Sequence, residues 1–354
     1  MARRTLTLPF LVLALALPSR VVAQSTERSI ERWAESIAAA AERIAAQAQR
    51  HAERLATRIE AELDDRQSRR RRGDDDRELS SQAQRIDTTL AFSANGIVDL
   101  TSIYGDITVT GWDRREAHIK ASTERGRLEY DFSSSRLVVE HRIDRGSRGR
   151  DREMRYEVSV PRGVRLMLRS TSGSIVVRGT GGQVEANSTS GDVTLEDVAN
   201  RVEVGTVSGD LVLHGVKGDV EGSTVSGSVE ASDIEGDIAL SSTSGDLDVS
   251  SAKGRVVELS TTSGDVSYGG AVDPAGRYEF NSHSGTITID IPSSANARFS
   301  VETFSGSIES DFPITLQPGE RSTRRPRRFE FTLGSGGPRI IAESFSGDVE
   351  IRKR

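Results

Sequence analysis

Hydrophobic and polar residues alternate in short runs, and glycines separate these runs at regular intervals. From Gly173 to Gly254 one position recurs every nine residues, and it is glycine in every unit except at Asn200. Two and four residues after this position the side chains are usually aliphatic, as at Val193 and Leu195. Alternation with a period of two is typical of a strand with one buried face. Each nine-residue unit is therefore predicted to be a short strand followed by a turn.

Strands this short cannot bury their apolar faces alone, so the units are expected to stack as a solenoid. Every second unit carries Ser-Gly-Asp or Ser-Gly-Ser, which predicts coils of two strands and about eighteen residues. With strands about 4.8 Å apart, roughly ten coils would form a rod about 50 Å long. The turn glycines of this motif are Gly173, Gly191, Gly209, Gly227, Gly245, Gly264, Gly285, Gly306 and Gly347.

The turn residues suggest how each corner is built. Glycine is expected to supply a positive φ, and Asn200 is the commonest substitute for that geometry. The serines directly before the turn glycines, such as Ser190 and Ser208, are expected to hydrogen-bond to turn backbone and to stack as a row.

The repeat is less regular towards both ends of the chain. After Gly254 the spacing loosens, and the larger residues Tyr278 and Phe280 are candidates for the core. Residues 311–328 interrupt the pattern of one unit. Residues 92–170 show alternation without a strict period and are predicted to be longer strands. We therefore predict an all-β solenoid, a single-stranded β-helix, over residues 91–354.

The N-terminal residues 1–23 have the pattern of a secretory signal peptide. Arg3 and Arg4 precede an apolar run, and cleavage is expected after Ala23. No later stretch has the length of a transmembrane helix. The chain has no cysteine, which excludes disulfides and a lipid anchor on an N-terminal cysteine. The mature protein is therefore expected to be exported, either to the periplasm or to the cell surface.

A helix and a linker are predicted between the signal peptide and the β region. Residues 24–66 are rich in Ala, Glu, Arg and Gln, and one long α-helix is expected there, with apolar positions at eleven-residue intervals. This stripe suits docking on the β region, a loosely ordered stalk, or self-association through residues 25–63. Residues 67–90 are dense in charge and are predicted to be a solvated linker.

Several segments of the β region match the sequence pattern of a known family. These are the stretch from Tyr104 to Asp113, the Val160-Pro161-Arg162-Gly163 turn, the serial Ser-Gly-Asp units, and the final pair of strands from Gly336 to Val349. Residues 91–354 thereby resemble the "putative adhesin" domain of unknown function, a bacterial β-solenoid also called Toastrack. The resemblance implies an extracytoplasmic right-handed β-helix with no established activity and no catalytic residues to transfer. The long N-terminal helix and the lack of a membrane anchor depart from family members attached to envelope-stress membrane proteins.

Aspartates follow the turn glycine in several coils and offer two interpretations. Asp192, Asp210, Asp246, Asp265 and Asp348 could line one edge and bind Ca²⁺, or they could cap backbone amides at the turns. The paired glycines and offset aspartate of a calcium-binding nonapeptide are missing, which favours capping. The histidines lack the spacing of a zinc site, and no Gly-x-Ser-x-Gly motif is present. No cofactor is expected.

Charge limits the classes of partner. Removal of Arg3, Arg4 and Arg20 with the signal peptide changes the formal net charge from −6 to −9, which disfavours nucleic acid. One dense cationic segment is a candidate contact for anionic lipid or glycan, although its pattern favours a solvated loop neutralised by surface acids. Its residues are Arg321, Arg324, Arg325, Arg327 and Arg328.

These observations predict a non-enzymatic, exported binding or scaffold protein whose partner is a cell-envelope protein or glycan. Two alternatives stay open: a carbohydrate-active β-helix enzyme (a lyase or hydrolase), and an envelope assembly protein joined through the helix.

Overall fold

The computed structural model describes residues 81–83, 85–123, 127–142, 154–313 and 327–354. The predicted signal peptide (1–23) and helix (24–66) lie outside the described residues, as do residues 67–80 of the predicted linker, and they stay predictions. Within the described part, strand structure begins at Ser81, ten residues before the expected start of the β region at residue 91.

The described residues form strands of two sheets and contain no helix. The N-terminal strands are β1 (Ser81–Ala83), β2 (Arg85–Ala91), β3 (Ile97–Tyr104), β4 (Asp106–Trp112), β5 (Glu116–Thr123), β6 (Arg127–Phe132), β7 (Arg136–Arg142) and β8 (Met154–Pro161). The central strands are β9 (Arg165–Ser172), β10 (Ile175–Arg178), β11 (Val184–Ser190), β12 (Val193–Glu196), β13 (Val202–Gly205), β14 (Leu211–His214), β15 (Val220–Ser226), β16 (Val229–Ser232), β17 (Ile238–Ser244) and β18 (Leu247–Ala252). The C-terminal strands are β19 (Val256–Ser263), β20 (Val266–Gly270), β21 (Arg277–Ser284), β22 (Ile287–Ile291), β23 (Ala297–Thr303), β24 (Ile308–Ser310), β25 (Arg327–Leu333), β26 (Arg339–Ser346) and β27 (Val349–Lys353).

The chain winds between the two sheets from β9 to β22. Odd-numbered strands of this stretch belong to sheet 1 and even-numbered strands to sheet 2, and each pairs in parallel with the strand two places along. The register joins equivalent positions of successive coils, such as Val184 with Val202 and Val193 with Leu211. The predicted all-β solenoid with two strands per coil is therefore confirmed. The described parts of each sheet contain eleven parallel strands, a stack about 50 Å long at about 4.8 Å per strand.

Aliphatic side chains from both sheets fill the interior. Alternate residues such as Leu195, Val204 and Leu213 are buried in one continuous cluster. Where the coil lengthens after Gly254, the rings of Tyr268, Tyr278 and Phe280 widen the core and contact one another. The buried hydroxyl of Tyr278 donates to the carbonyl of Gly254, and that of Tyr268 donates to the carbonyl of Ala271. Aromatic residues thus fill the extra volume of the longer coils, as the sequence predicts for Tyr278 and Phe280.

The order of coils in space departs from chain order at both ends. At the N-terminal end, β3 and β4 lie between β7–β8 and β9–β10. At the C-terminal end, β26 and β27 lie between β21–β22 and β23–β24. Antiparallel strands flank three of the four sheet ends: β6 and β1 beside β7, β5 and β2 beside β8, and β25 beside β23. Such strands take up backbone groups that the last parallel strand leaves unpaired.

The turn glycines stack directly on one another along one corner of the solenoid. A Cβ on Gly191 would lie well under 3.0 Å from the backbone carbonyl oxygen of Gly173, and each later member would meet its neighbour in the same way. In spatial order the row is Gly105, Gly173, Gly191, Gly209, Gly227, Gly245, Gly264, Gly285, Gly347 and Gly306. Close approach between coils therefore requires glycine throughout the row, even where the turn itself does not.

The backbone angles differ from those expected at the turns. A positive φ between 151° and 154° occurs at Gly173, Gly191, Gly245, Gly264 and Gly285 but not at the other turn glycines. The prediction of a left-handed Asn200 is wrong, because its φ is not positive, and its side chain instead accepts from the Arg201 N–H. Left-handed residues recur every eighteen positions, directly after a sheet 2 strand or, for Ser251, at a register shift within β18: Gly179, Asp197, Gly215, Asp233 and Ser251.

A buried row of hydroxyls runs beside the glycines, three residues before them. The Thr206 hydroxyl donates to the Gly191 carbonyl at 3.1 Å, and the equivalent bonds elsewhere measure 2.9–3.4 Å. The donors are Ser188, Thr206, Thr224, Ser242, Thr261, Ser282, Ser344 and Thr303. The expected serine row does stack from coil to coil, as Ser190 does on Ser208, but these serines are exposed, and the hydroxyls that bond to the turn backbone lie two residues earlier.

Replacing Gly209 with alanine tests the close approach of the coils, because the φ of Gly209 is not in the left-handed range. We expect Gly209→Ala to lower the free energy of unfolding by about 3 kcal/mol, because the new methyl group meets the backbone of Gly191, which cannot move aside. Gly181→Ala is the matched control, since its Cβ would make only an ordinary 3.7 Å contact. Denaturant unfolding of both variants measures the difference, and equal losses would contradict the role assigned to the glycine row.

Candidate functional site

The aspartates that follow the turn glycines join neighbouring coils. Oδ1 of Asp192 accepts the Asp210 N–H at 2.9 Å, and Oδ1 of Asp210 accepts the Ser228 N–H at 2.8 Å. The same bond recurs from Asp106, Asp246, Asp265 and Asp348 to the coil that follows each of them in space. These carboxylates therefore cap backbone amides, which is the second of the two interpretations that the sequence allowed.

The acid row is interrupted so that at most two aspartates are adjacent. In spatial order Ser174, Ser228, Thr286 and Ser307 separate the aspartates. Hydrogen bonds from the Ser307 backbone and side chain lower the pKa of Asp348. Across the described ranges, no group of three or more His, Asp or Glu side chains has an arrangement that could hold a metal ion.

The outer face of sheet 1 carries an acidic row along the solenoid axis. The register aligns Glu185, Glu203, Glu221, Ala239, Glu258 and Glu279 on successive coils. Arginines pair with several of these acids. Arg169 lies 3.5 Å from Glu185 and 3.2 Å from the buried Asp99, and Arg201 lies 3.3 Å from Glu221. The face is thus flat, polar and partly neutralised.

The outer face of sheet 2 is more mixed. One row contains Val176, Thr194, Val212, Glu230, Asp248, Ser267 and Thr288 on successive coils. Beside it, the Arg178 guanidinium pairs with Glu196 at 2.8 Å, which raises the pKa of Arg178. His214 lies 2.9 Å from the Ser232 hydroxyl. This face therefore offers hydroxyls and carboxylates without the long acidic row of sheet 1.

A third row, two residues before the turn glycines, is apolar in one stretch and aromatic in another, with two threonines between them. Val207 and Val225 are neighbours and are 48% and 41% exposed. Further along, the rings of His283, Phe345 and Phe304 stack with centroid distances of 5.0 Å and 4.8 Å. Sequence analysis missed this row, although its eighteen-residue spacing from Val207 to Val225 was available as a signal.

The cationic segment predicted to contact anions is only partly described. Arg321, Arg324 and Arg325 lie outside the described residues, and only the backbone of Arg327 in β25 is described. The Arg328 side chain lies 2.9 Å from Glu330 and 3.9 Å from Glu302. Local acids therefore neutralise Arg328. Contact between Arg328 and an external anion would require breaking these ion pairs, and it stays a prediction.

Glu343 lies near Arg328 and Glu302 at the C-terminal end of sheet 1. It is directly opposite Glu302 on β23 and Asn281 on β21. Desolvation by burial and repulsion from Glu302 raise the pKa of Glu343, while Arg328 and Arg339 oppose the shift. The histidines among the described residues, by contrast, are not brought together: His118 lies near Asp87, and His141 lies near Thr123.

Replacing Asp210 separates amide capping from metal binding. We expect Asp210→Ala to lower the free energy of unfolding by about 1 kcal/mol, because the Ser228 N–H loses its acceptor. Asp210→Asn keeps an acceptor oxygen and should retain most of the stability. Unfolding is measured in EDTA and in millimolar Ca²⁺. A stabilisation by Ca²⁺ that both variants abolish would instead support a metal site.

The chain is similar to proteins of known structure and to one protein family. Two solved structures are similar to it: a "putative cell adhesion protein" from Clostridium sporogenes (7% identity, TM-score 0.22, 76% of this chain and 100% of that chain) and a "putative adhesin" from Bacteroides fragilis (10% identity, TM-score 0.36, 77% and 98%). No curated protein matches the chain. No helix among the described residues has the length and apolarity to cross a membrane. Residues 157–352, more than half of the sequence, match the model of the Toastrack DUF4097 family, so the resemblance noted from the sequence is confirmed and the chain belongs to that family.

Proposed function

We propose that this chain is an exported, non-enzymatic binding or scaffold protein of the cell envelope. Its ligand is a cell-envelope protein or glycan that lies along the outer faces of the solenoid. The observation that carries the proposal is that the polar side chains fall into two sets with different positions. Hydroxyls and aspartates at the corner join the coils, and the remaining polar rows lie on two exposed faces.

The geometry of these faces suits an extended partner. Equivalent side chains repeat at the strand spacing of about 4.8 Å, so a ligand with a regular repeat meets the same groups on successive coils. Many weak contacts of this kind add along a linear ligand. The interior offers no comparable surface, because buried aliphatic side chains from both sheets close it.

Catalysis is not part of the proposal, because the acids near the corner already have backbone partners. A carbohydrate lyase or hydrolase needs two or three carboxylates that converge on a substrate groove. Here the carboxylates of Asp192 and Asp210 each accept an amide hydrogen from the neighbouring coil. The glutamates of sheet 1 are spread one per coil along a flat face.

Two matched surface variants test which face binds. Ser223→Arg with Ser241→Arg places bulky charges on sheet 1, and Ser232→Arg with Ser250→Arg does so on sheet 2. The mature chain is immobilised, and binding to purified envelope glycans and to extracted envelope proteins is measured. We expect one double variant to weaken binding about tenfold or more, equivalent to about 1.4 kcal/mol, while the other retains it.

Three outcomes would contradict the proposal. The first is that no envelope glycan or protein binds the mature chain. The second is that both double variants bind as tightly as the original chain, since the faces would then not be the contact surface. The third is measurable turnover of uronic-acid polymers by the purified protein, which would favour the carbohydrate-active alternative.

A further inference from the structure

The last coil of the chain is inserted into the solenoid, not added to its end. In sheet 1, β26 pairs on one side with β21 and on the other with β23. In sheet 2, β27 pairs with β22 and with β24. In the sequence, β23 and β24 precede the C-terminal coil, residues 339–354. In space, however, that coil lies between β23–β24 and β21–β22.

The corner interactions of the solenoid continue through this inserted coil. The Ser344 hydroxyl donates to the Gly285 carbonyl at 3.2 Å, and the Thr303 hydroxyl donates to the Gly347 carbonyl at 2.9 Å. Asp348 accepts the Ser307 N–H at 2.6 Å. The C-terminal coil thus has the same bonds as a regular coil on both of its sides.

Without the C-terminal coil, a slot one strand wide would remain in each sheet. The described strands β23 and β24 have no ladder pairing with β21 and β22, since their parallel partners are β26 and β27. Two strand spacings of about 4.8 Å set the slot at about 10 Å from β21 to β23. Its two walls present unpaired strand edges, which accept a parallel strand readily.

A glycine-rich hinge connects the inserted coil to the strand before it. Residues 334–338 read Gly-Ser-Gly-Gly-Pro and carry the chain from one side of β23 to the other. Gly334 and Gly336 have φ of 56° and 76°. The Ser335 N–H donates to Asn296 Oδ1 at 2.9 Å, and the Arg298 N–H donates to the Pro338 carbonyl at 2.9 Å. This segment decides which slot the last coil can reach.

We propose that the slot between β21–β22 and β23–β24 also accepts the C-terminal coil of a second copy of this chain, giving a dimer by reciprocal strand exchange. The contacts inside the slot are the same whether the coil comes from its own chain or from another copy. The balance between monomer and exchanged dimer therefore depends on the hinge and on protein concentration. Exchange pairs two binding domains without using either outer face.

Shortening the hinge tests the proposal in the full mature chain. Deletion of residues 335–337 leaves three Cα–Cα links between Leu333 and Arg339, which reach at most about 11 Å. The straight path between these residues is blocked by β23, because Leu333 pairs with Ala297 and Arg339 with Arg298 on its opposite edges. The deleted chain cannot seat its own last coil, so we expect twice the monomer mass by light scattering.

Two control chains make this result specific. A chain with three extra residues, Gly-Ser-Gly, in the hinge should retain the monomer mass, because its own coil still reaches the slot. Adding Ile351→Asp to the deletion should abolish the dimer, since the Ile351 side chain is only 1% exposed and must be buried for the coil to seat. Residues 25–63 are present in every chain, so self-association through them cannot produce these differences. A deletion variant that stays monomeric overturns the proposal.

A second measurement applies if the deletion variant does not fold. Natural-abundance and ¹⁵N-labelled copies of the unaltered chain are mixed, unfolded and refolded together at high concentration. Native mass spectrometry should show a dimer that contains one copy of each kind, and Ile351→Asp should prevent it. Absence of such a dimer, or its persistence in the Ile351→Asp chain, overturns the proposal.

Discussion

Each coil of this solenoid must satisfy the backbone polar groups at its corner, where the hydrogen-bond ladder of one sheet ends before the other begins. Buried or crowded backbone groups without partners are costly, so each needs a side chain or water. At one corner a hydroxyl from the next coil binds the glycine carbonyl, as Thr206 does for Gly191. An aspartate binds the following amide, as Asp192 does for Asp210. Glycine lies between them because the coils approach too closely for a Cβ.

This requirement also determines which side chains are left without a role in joining the coils. A Ser or Thr three residues before the glycine and an Asp directly after it are occupied with the neighbouring coil. The interior is closed by aliphatic side chains such as Leu195 and Leu213. The outer faces of the two sheets are under no such constraint, and their residues vary from acids to hydroxyls and valine. A fold that confines its structural polar groups to a corner can therefore change the residues of its outer faces with little effect on stability.

The repeat could be predicted because it is local: nine-residue spacing and two-residue alternation define each strand and its register. The buried hydroxyl row was missed although Thr206 and Thr224 lie eighteen residues apart, because the serines beside the glycines gave a more conspicuous signal. The position of the last coil could not be read from the sequence. Gly347 and its neighbours form a regular unit, and nothing local distinguishes a coil that is added at the end from one that is inserted. Likewise, the second acidic partner of Arg328, Glu302 in β23, is one that only the sheet pairing brings near.

The most direct test of the corner interaction is the free energy of unfolding of Thr206→Val compared with Thr206→Ser. Valine has nearly the shape of threonine but no hydroxyl, so the Gly191 carbonyl loses its donor within the coil stack. Serine retains the donor, as Ser188 and Ser242 do in other coils. The account predicts that Thr206→Val loses about 1–3 kcal/mol while Thr206→Ser loses much less. A valine variant as stable as the original chain would contradict it.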